Sequence, residues 1–86
     1  MEEQDEQLRT ELMEGMLEYI EGNKSFRTIL AIGITAYNKS MPKIPEVAGV
    51  VVQLDTMGNQ VAGGKNYSRE YINDAFTTML EKLTKA

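Results

Sequence analysis

Each end of the chain carries one apolar stripe at helical spacing, and this does most to limit the folds open to it. Near the N-terminus, Leu8, Leu12, Met16, Tyr19 and Ile20 recur at the period of a helix, and Met13 and Leu17 widen the stripe. Glu11, Glu14, Glu18 and Glu21 fall toward the other side. Gly22-Asn23 then supplies a stop, because both residues tolerate the left-handed conformation at a helix C-terminus. Near the C-terminus, Ile72, Ala75, Phe76, Met79, Leu80 and Leu83 form a second stripe. Ser68 stands as its N-cap, and Glu70 in the first turn with Lys82 and Lys85 in the last complements the helix dipole. The residues between these helices must cover both stripes.

That middle segment reads less uniformly. Phe26, Ile29, Leu30, Gly33, Ile34 and Tyr37 fit a helical template, with Ser25 before them as an N-cap. The β-branched content of Thr28, Ile29, Ile32, Ile34 and Thr35 also suits a strand. A span this long is ordinary for a helix and long for a strand, so helix is the reading preferred. Ala31, Gly33 and Ala36 would let such a helix approach its neighbour closely. Pro42 and Pro45 make a semi-rigid connector. Val47–Leu54 reads as a strand of β-formers, Asp55–Asn59 as a turn, and Gln60–Gly63 as a short returning strand. The expected fold is therefore α+β, α-α-β-β-α, a small helix-rich domain with a short β-hairpin packed on the helices. Its alternative is α-β-β-β-α with residues 27–37 as a strand. Residues 1–7 form an acidic arm that frays or extends the first helix, and residues 8–86 form a single domain.

Such a domain has few means of stabilisation beyond its core. Its 86 residues contain neither cysteine nor histidine, which excludes disulfides, thiolate metal sites and imidazole acid–base chemistry. A core this small supplies roughly 3–5 kcal/mol, which favours self-association. No reactive constellation stands out. Ser25, Ser40 and Ser68 lie in no nucleophile elbow, and Glu46, Asp55 and Asp74 read as connector, turn and exposed helix residues. The expectation is a protein without enzymatic activity or cofactor.

Charge is unevenly distributed. Residues 1–22 carry eight acidic side chains against Arg9 alone, a net charge of −7, whereas residues 23–86 sum to +3. The acidic segment is then either a solvated helix face or a surface that engages basic groups. No apolar run approaches the ~20 residues of a membrane span, and the start Met-Glu-Glu-Gln-Asp-Glu resembles no export signal. A cytoplasmic protein with no membrane partner is expected.

Two sets of residues are candidates for binding. Gly63, Gly64, Lys65, Asn66, Tyr67, Ser68 and Arg69 join flexible backbone, two cations, a hydroxyl and an aromatic face just before a helix N-terminus. That chemistry suits a phosphate-bearing ligand such as a nucleotide. The motif is not a P-loop, and a plain Gly-Gly connector before a capped helix explains it as well. Tyr37, Met41, Ile44 and Met57 sit at positions expected to be exposed, where they would form an apolar docking patch. The scattered Lys and Arg residues make nucleic acid a poorer candidate. The leading functional expectation is a self-associating interaction protein, an adaptor or inhibitor of a protein partner. The alternative is a binder of a phosphate-containing small molecule at residues 63–69.

Overall fold

The structure, a computed structural model, describes residues 2–85. They form four helices in sequence: α1 (Glu2–Ile20), α2 (Phe26–Lys39), α3 (Pro45–Ala62) and α4 (Arg69–Lys85). Among the described residues there is no strand, so the expected α+β fold is overturned in both its versions and the domain is all-α. Three of the expected helices are present with the expected ends. Gly22 closes α1 at φ +88°, and the Asn23 N–H donates to the Glu18 carbonyl at 2.8 Å. The Ser25 hydroxyl accepts the Thr28 N–H at 3.2 Å, and the Ser68 hydroxyl accepts the Tyr71 N–H at 3.1 Å. Residues 2–7 extend α1, and residue 1 of the acidic arm lies outside the described residues.

The correction falls on α3, which replaces the strand at Val47–Leu54, the turn at Asp55–Asn59 and the strand at Gln60–Gly63. Pro45 occupies its first turn, where a missing N–H costs nothing. Its buried residues Val47, Val50, Val51, Leu54, Met57 and Gly58 recur at i, i+3, i+4, i+7, i+10 and i+11, the period of a helix rather than a strand. The signal is hidden because the opposite face is also uncharged at Gly49, Val52 and Thr56, so the segment looks like a continuous apolar run. A helix packed against all three others needs little polar surface, and valine accepts that environment despite its β preference. Met57 consequently sits in the core at 4% exposure rather than at a turn tip.

Helices α2 and α3 form the most extensive contact, and two glycines set their separation. A Cβ added at Gly33 would lie 2.5 Å from the Leu54 Cβ, and one at Gly58 would lie 2.5 Å from the Ile34 Cδ1. The first clash is against a side-chain root that cannot swing aside. Helix α1 lies along α4, where the Arg9 guanidinium donates to the Leu83 carbonyl at 3.1 Å and Tyr19 meets Phe76 edge-on at 5.2 Å. Fully buried Leu12, Met16, Ile29, Leu54, Phe76 and Met79 interlock between the four helices. In α1 the buried stripe is narrower than its sequence suggests, since Leu17 and Ile20 stay exposed.

One carboxylate links the first helix to the third. Asp5 is only 7% exposed, and its Oδ2 accepts the backbone N–H groups of Lys43 and Ile44 at 2.5 and 2.8 Å. Ile44 is the N-cap of α3 and offers no side-chain cap of its own. A carboxylate from α1 thus satisfies the two N–H groups that lead into α3, the second being the N-cap amide that a capping box would engage, with its negative charge near the positive end of the α3 dipole.

Three substitutions test this packing. Gly33→Ala lowers stability by about 1–2 kcal/mol, because overpacking outweighs the helix-propensity gain. Gly49→Ala, where a Cβ meets nothing within 4 Å, raises stability by about 0.5–1 kcal/mol. Asp5→Ala costs about 1.5–3 kcal/mol, as expected for charge-assisted bonds, and speeds hydrogen exchange at the Lys43 and Ile44 amides. Chemical denaturation measures the first two, and NMR-detected exchange the third.

Candidate functional site

In the loop between α3 and α4, the ligand candidate at residues 63–69, the backbone N–H groups of Gly63, Gly64 and Lys65 are committed to closing α3. The Gly63 N–H donates to the Asn59 carbonyl, Gly64 to Val61 and Lys65 to Gln60, at 3.0, 3.0 and 2.9 Å. With Gly64 at φ +102° this is a Schellman closure of α3. The glycine pair therefore ends a helix, and these N–H groups do not cradle an anion. The side chains are likewise engaged within the chain. The Tyr67 hydroxyl donates to Gln60 Oε1, Lys65 Nζ lies 4.8 Å from the Tyr67 ring centroid, and Arg69 lies 5.3 Å from that of Tyr19. Tyr67 and Tyr71 stack at 5.0 Å and an interplanar angle of 17°, with Phe26 edge-on to Tyr67 at 6.1 Å. Asn66 is exposed on the same loop. The seven residues form one aromatic-lined end of the bundle, with Tyr71 53% exposed.

A concave site lies elsewhere. A groove of about 590 Å³ runs between the N-terminal half of α1 and the length of α2, closed at one end by the connector 40–44. Half-buried Leu8, Ile32 and Ala36 and buried Pro42 give it an apolar bed, while exposed Thr28, Ala31 and Thr35 form a low rim on α2. The α1 rim is polar and acidic, with Gln4, Gln7 and Glu11 lining it. Lys39 and Lys43 place positive charge at the connector end. Asp5 lies at that end and holds α1 against the connector through its two backbone bonds.

The four expected interface residues separate. Met41, 43% exposed, lines the groove; Tyr37 is exposed on α2 but does not line it. Ile44 is half-buried and packs against the core, and Met57 is inside it. The bed and rims went unnoticed in the sequence because they come from helices that first meet in the folded chain. The threonine–alanine face of α2 at 28, 31 and 35 was the available signal.

Glu3, Glu11, Glu14 and Glu21 form no ion pair among the described residues, where the acidic face of α1 is met only by Arg9 at Glu6 and by Lys24 at Glu18. Among the described residues most of the acidic face of α1 is left to solvent. Among the described residues no group of three or more acidic side chains is placed to hold a metal ion, and no helix is long and apolar enough to cross a membrane. Neither a family model, nor a curated protein, nor a solved structure matches the chain.

The committed loop backbone has a direct consequence. Gly64→Ala lowers the melting temperature in the absence of any ligand, by the equivalent of about 1–2 kcal/mol for a side chain forced into the left-handed region. Lys65→Ala, which removes only an exposed cation–π contact, costs about 0.5–1 kcal/mol at most. Differential scanning calorimetry of the two variants measures this.

Proposed function

We propose that this protein is a non-catalytic interaction domain whose working surface is the groove between α1 and α2. The observation that carries the reading is a preformed concavity with an apolar bed and charged ends, in which Leu8, Ile32 and Ala36 pack on the core and remain partly open to solvent. The acidic face of α1 supports it. Glu11 and Glu14, and Glu14 and Glu18, are like-charged neighbours on α1, each pair costing about 0.2–0.5 kcal/mol. The last turn of α1 carries no basic residue to complement its dipole. A surface that works against folding and is met from within only at Glu6 and Glu18 among the described residues suits contact with something outside the chain.

Self-association belongs to the same proposal, as one form such contact takes. Leu12, Met16, Phe76 and Leu83 are fully buried within the single chain. The radius of gyration of 12.0 Å matches the value of about 12 Å for a globular domain of this length. The phosphate-ligand reading keeps the exposed Tyr71 ring and the two cations in its favour, but it has lost the backbone cradle.

The experiment compares the wild-type chain with Ala31→Arg in the groove and Thr56→Arg on the exposed face of α3, as baits in extracts of the native host and by light scattering. A partner, or an oligomer above 9.7 kDa, that is lost with Ala31→Arg and kept with Thr56→Arg is the expected result. Associations equally insensitive to both substitutions contradict the reading. A nucleotide-induced rise in melting temperature that Lys65→Ala removes would favour the ligand reading instead.

A further inference from the structure

The shape and charge of the groove narrow the kind of partner it fits. Its α2 wall runs from Thr28 to Lys39, a rise of about 16 Å or three helical turns. An extended segment docks by pairing its backbone with a sheet edge, or as a polyproline helix in an aromatic-lined groove; the described residues hold no strand, and no aromatic residue lines this groove. A segment lying on the apolar bed of Leu8, Ile32 and Ala36 must therefore satisfy its own backbone hydrogen bonds, which a helix does. The rim residues Thr28, Ala31 and Thr35 are small and recur at i, i+3 and i+7, so a helix can approach α2 closely along them. The facing rim differs in charge. Gln7 and Glu11 line the groove, and Glu14 continues the same face of α1 one turn further, at i, i+4 and i+7, with Glu18 beyond it paired to Lys24. Glu11 lines the groove, and neither Glu11 nor Glu14 forms an ion pair among the described residues.

We infer that the groove takes an amphipathic helix of another protein, with its apolar face on the bed and Lys or Arg residues along the flank that faces α1. This inference rests on the interaction reading and names its partner class. Basic residues on that flank relieve the repulsion among the α1 glutamates as they bind, so charge adds to apolar burial rather than opposing it. Lys39 and Lys43 reverse the sign at the connector end, which confines the basic residues to the two turns opposite Glu11 and Glu14.

The probes are two acetylated and amidated peptides of about 14 residues. Both carry leucines at i, i+4, i+7 and i+11 on an alanine background. One carries lysines along one flank, and the other carries glutamates at the same positions. Titration calorimetry measures each against the wild type, Ala31→Arg and the double variant Glu11→Lys/Glu14→Lys, with circular dichroism to confirm that every variant is folded. The expected result has three parts. The lysine peptide binds the wild type one-to-one, it binds the double variant at least about tenfold more weakly, and the glutamate peptide binds the double variant in its place. Ala31→Arg abolishes both. The inference is overturned if both peptides bind the wild type equally, if the lysine peptide binds Ala31→Arg unchanged, or if neither peptide binds. It is also overturned if light scattering shows a dimer that Ala31→Arg dissociates, because the occupant is then a second copy. If a native partner requires Ala31 while these peptide results fail, the inference falls and the interaction reading stands. If Ala31→Arg changes no association of any kind, both fall.

Discussion

The arrangement depends first on how closely α2 and α3 approach each other. Two missing side chains make that approach, with Gly33 over the root of Leu54 and Gly58 against the tip of Ile34. Glycine inside a helix weakens it by about 1 kcal/mol relative to alanine, and α3 bears that cost at Gly58 because the close contact returns dense packing along the longest seam of the bundle. Once that pair is fixed, the face of α3 that carries Val47, Val50, Val51, Leu54 and Met57 is enclosed, while Gly49, Val52 and Thr56 stay exposed. Helices α1 and α4 then close over the remaining faces of the core, with Arg9 and the Tyr19–Phe76 contact holding them together.

Enclosure of α3 leaves α1 with two tasks that pull on different parts of it. Its middle, at Leu12, Met16 and Tyr19, is committed to the core. Its N-terminal turns meet the rest of the chain through Asp5, whose carboxylate reaches the start of α3 across 38 residues of sequence. Between those two anchor regions α1 and α2 leave a groove rather than a sealed seam. The groove is thus a product of the same contacts that hold the fold, and its acidic rim adds a surface that folding alone does not require.

The sequence made most of the helices legible and misjudged the one that organises them. Helices α1 and α4 each pair an apolar stripe with a polar face and carry recognisable ends at Gly22 and Ser68, so local chemistry suffices to read them, whereas α2, capped at Ser25, was set apart from a strand only by its length and helical spacing. The exposed face of helix α3 carries Gly49, Val52 and Thr56 where charges would have marked it, and its valines and the Gly58-Asn59 pair imitate strand and turn. Met57 was misplaced for the same reason. Asp5 was legible only as one of many acidic residues, because its partners are backbone groups brought to it by the fold. At residues 63–69 the sequence showed the right pieces, and only the hydrogen-bond pattern reveals that they cap α3, begin α4 and pack on one another.

The central claim is that residues 45–62 form one buried helix set against Gly33. Backbone carbon chemical shifts of the isotopically labelled protein, read with nuclear Overhauser contacts, test it most directly. An unbroken run of helical Cα shifts through Val47–Val61, with contacts from the Gly33 α-protons to Leu54, is the predicted result. Extended shifts at Val47–Leu54, with cross-strand contacts to Gln60–Gly63, would contradict it.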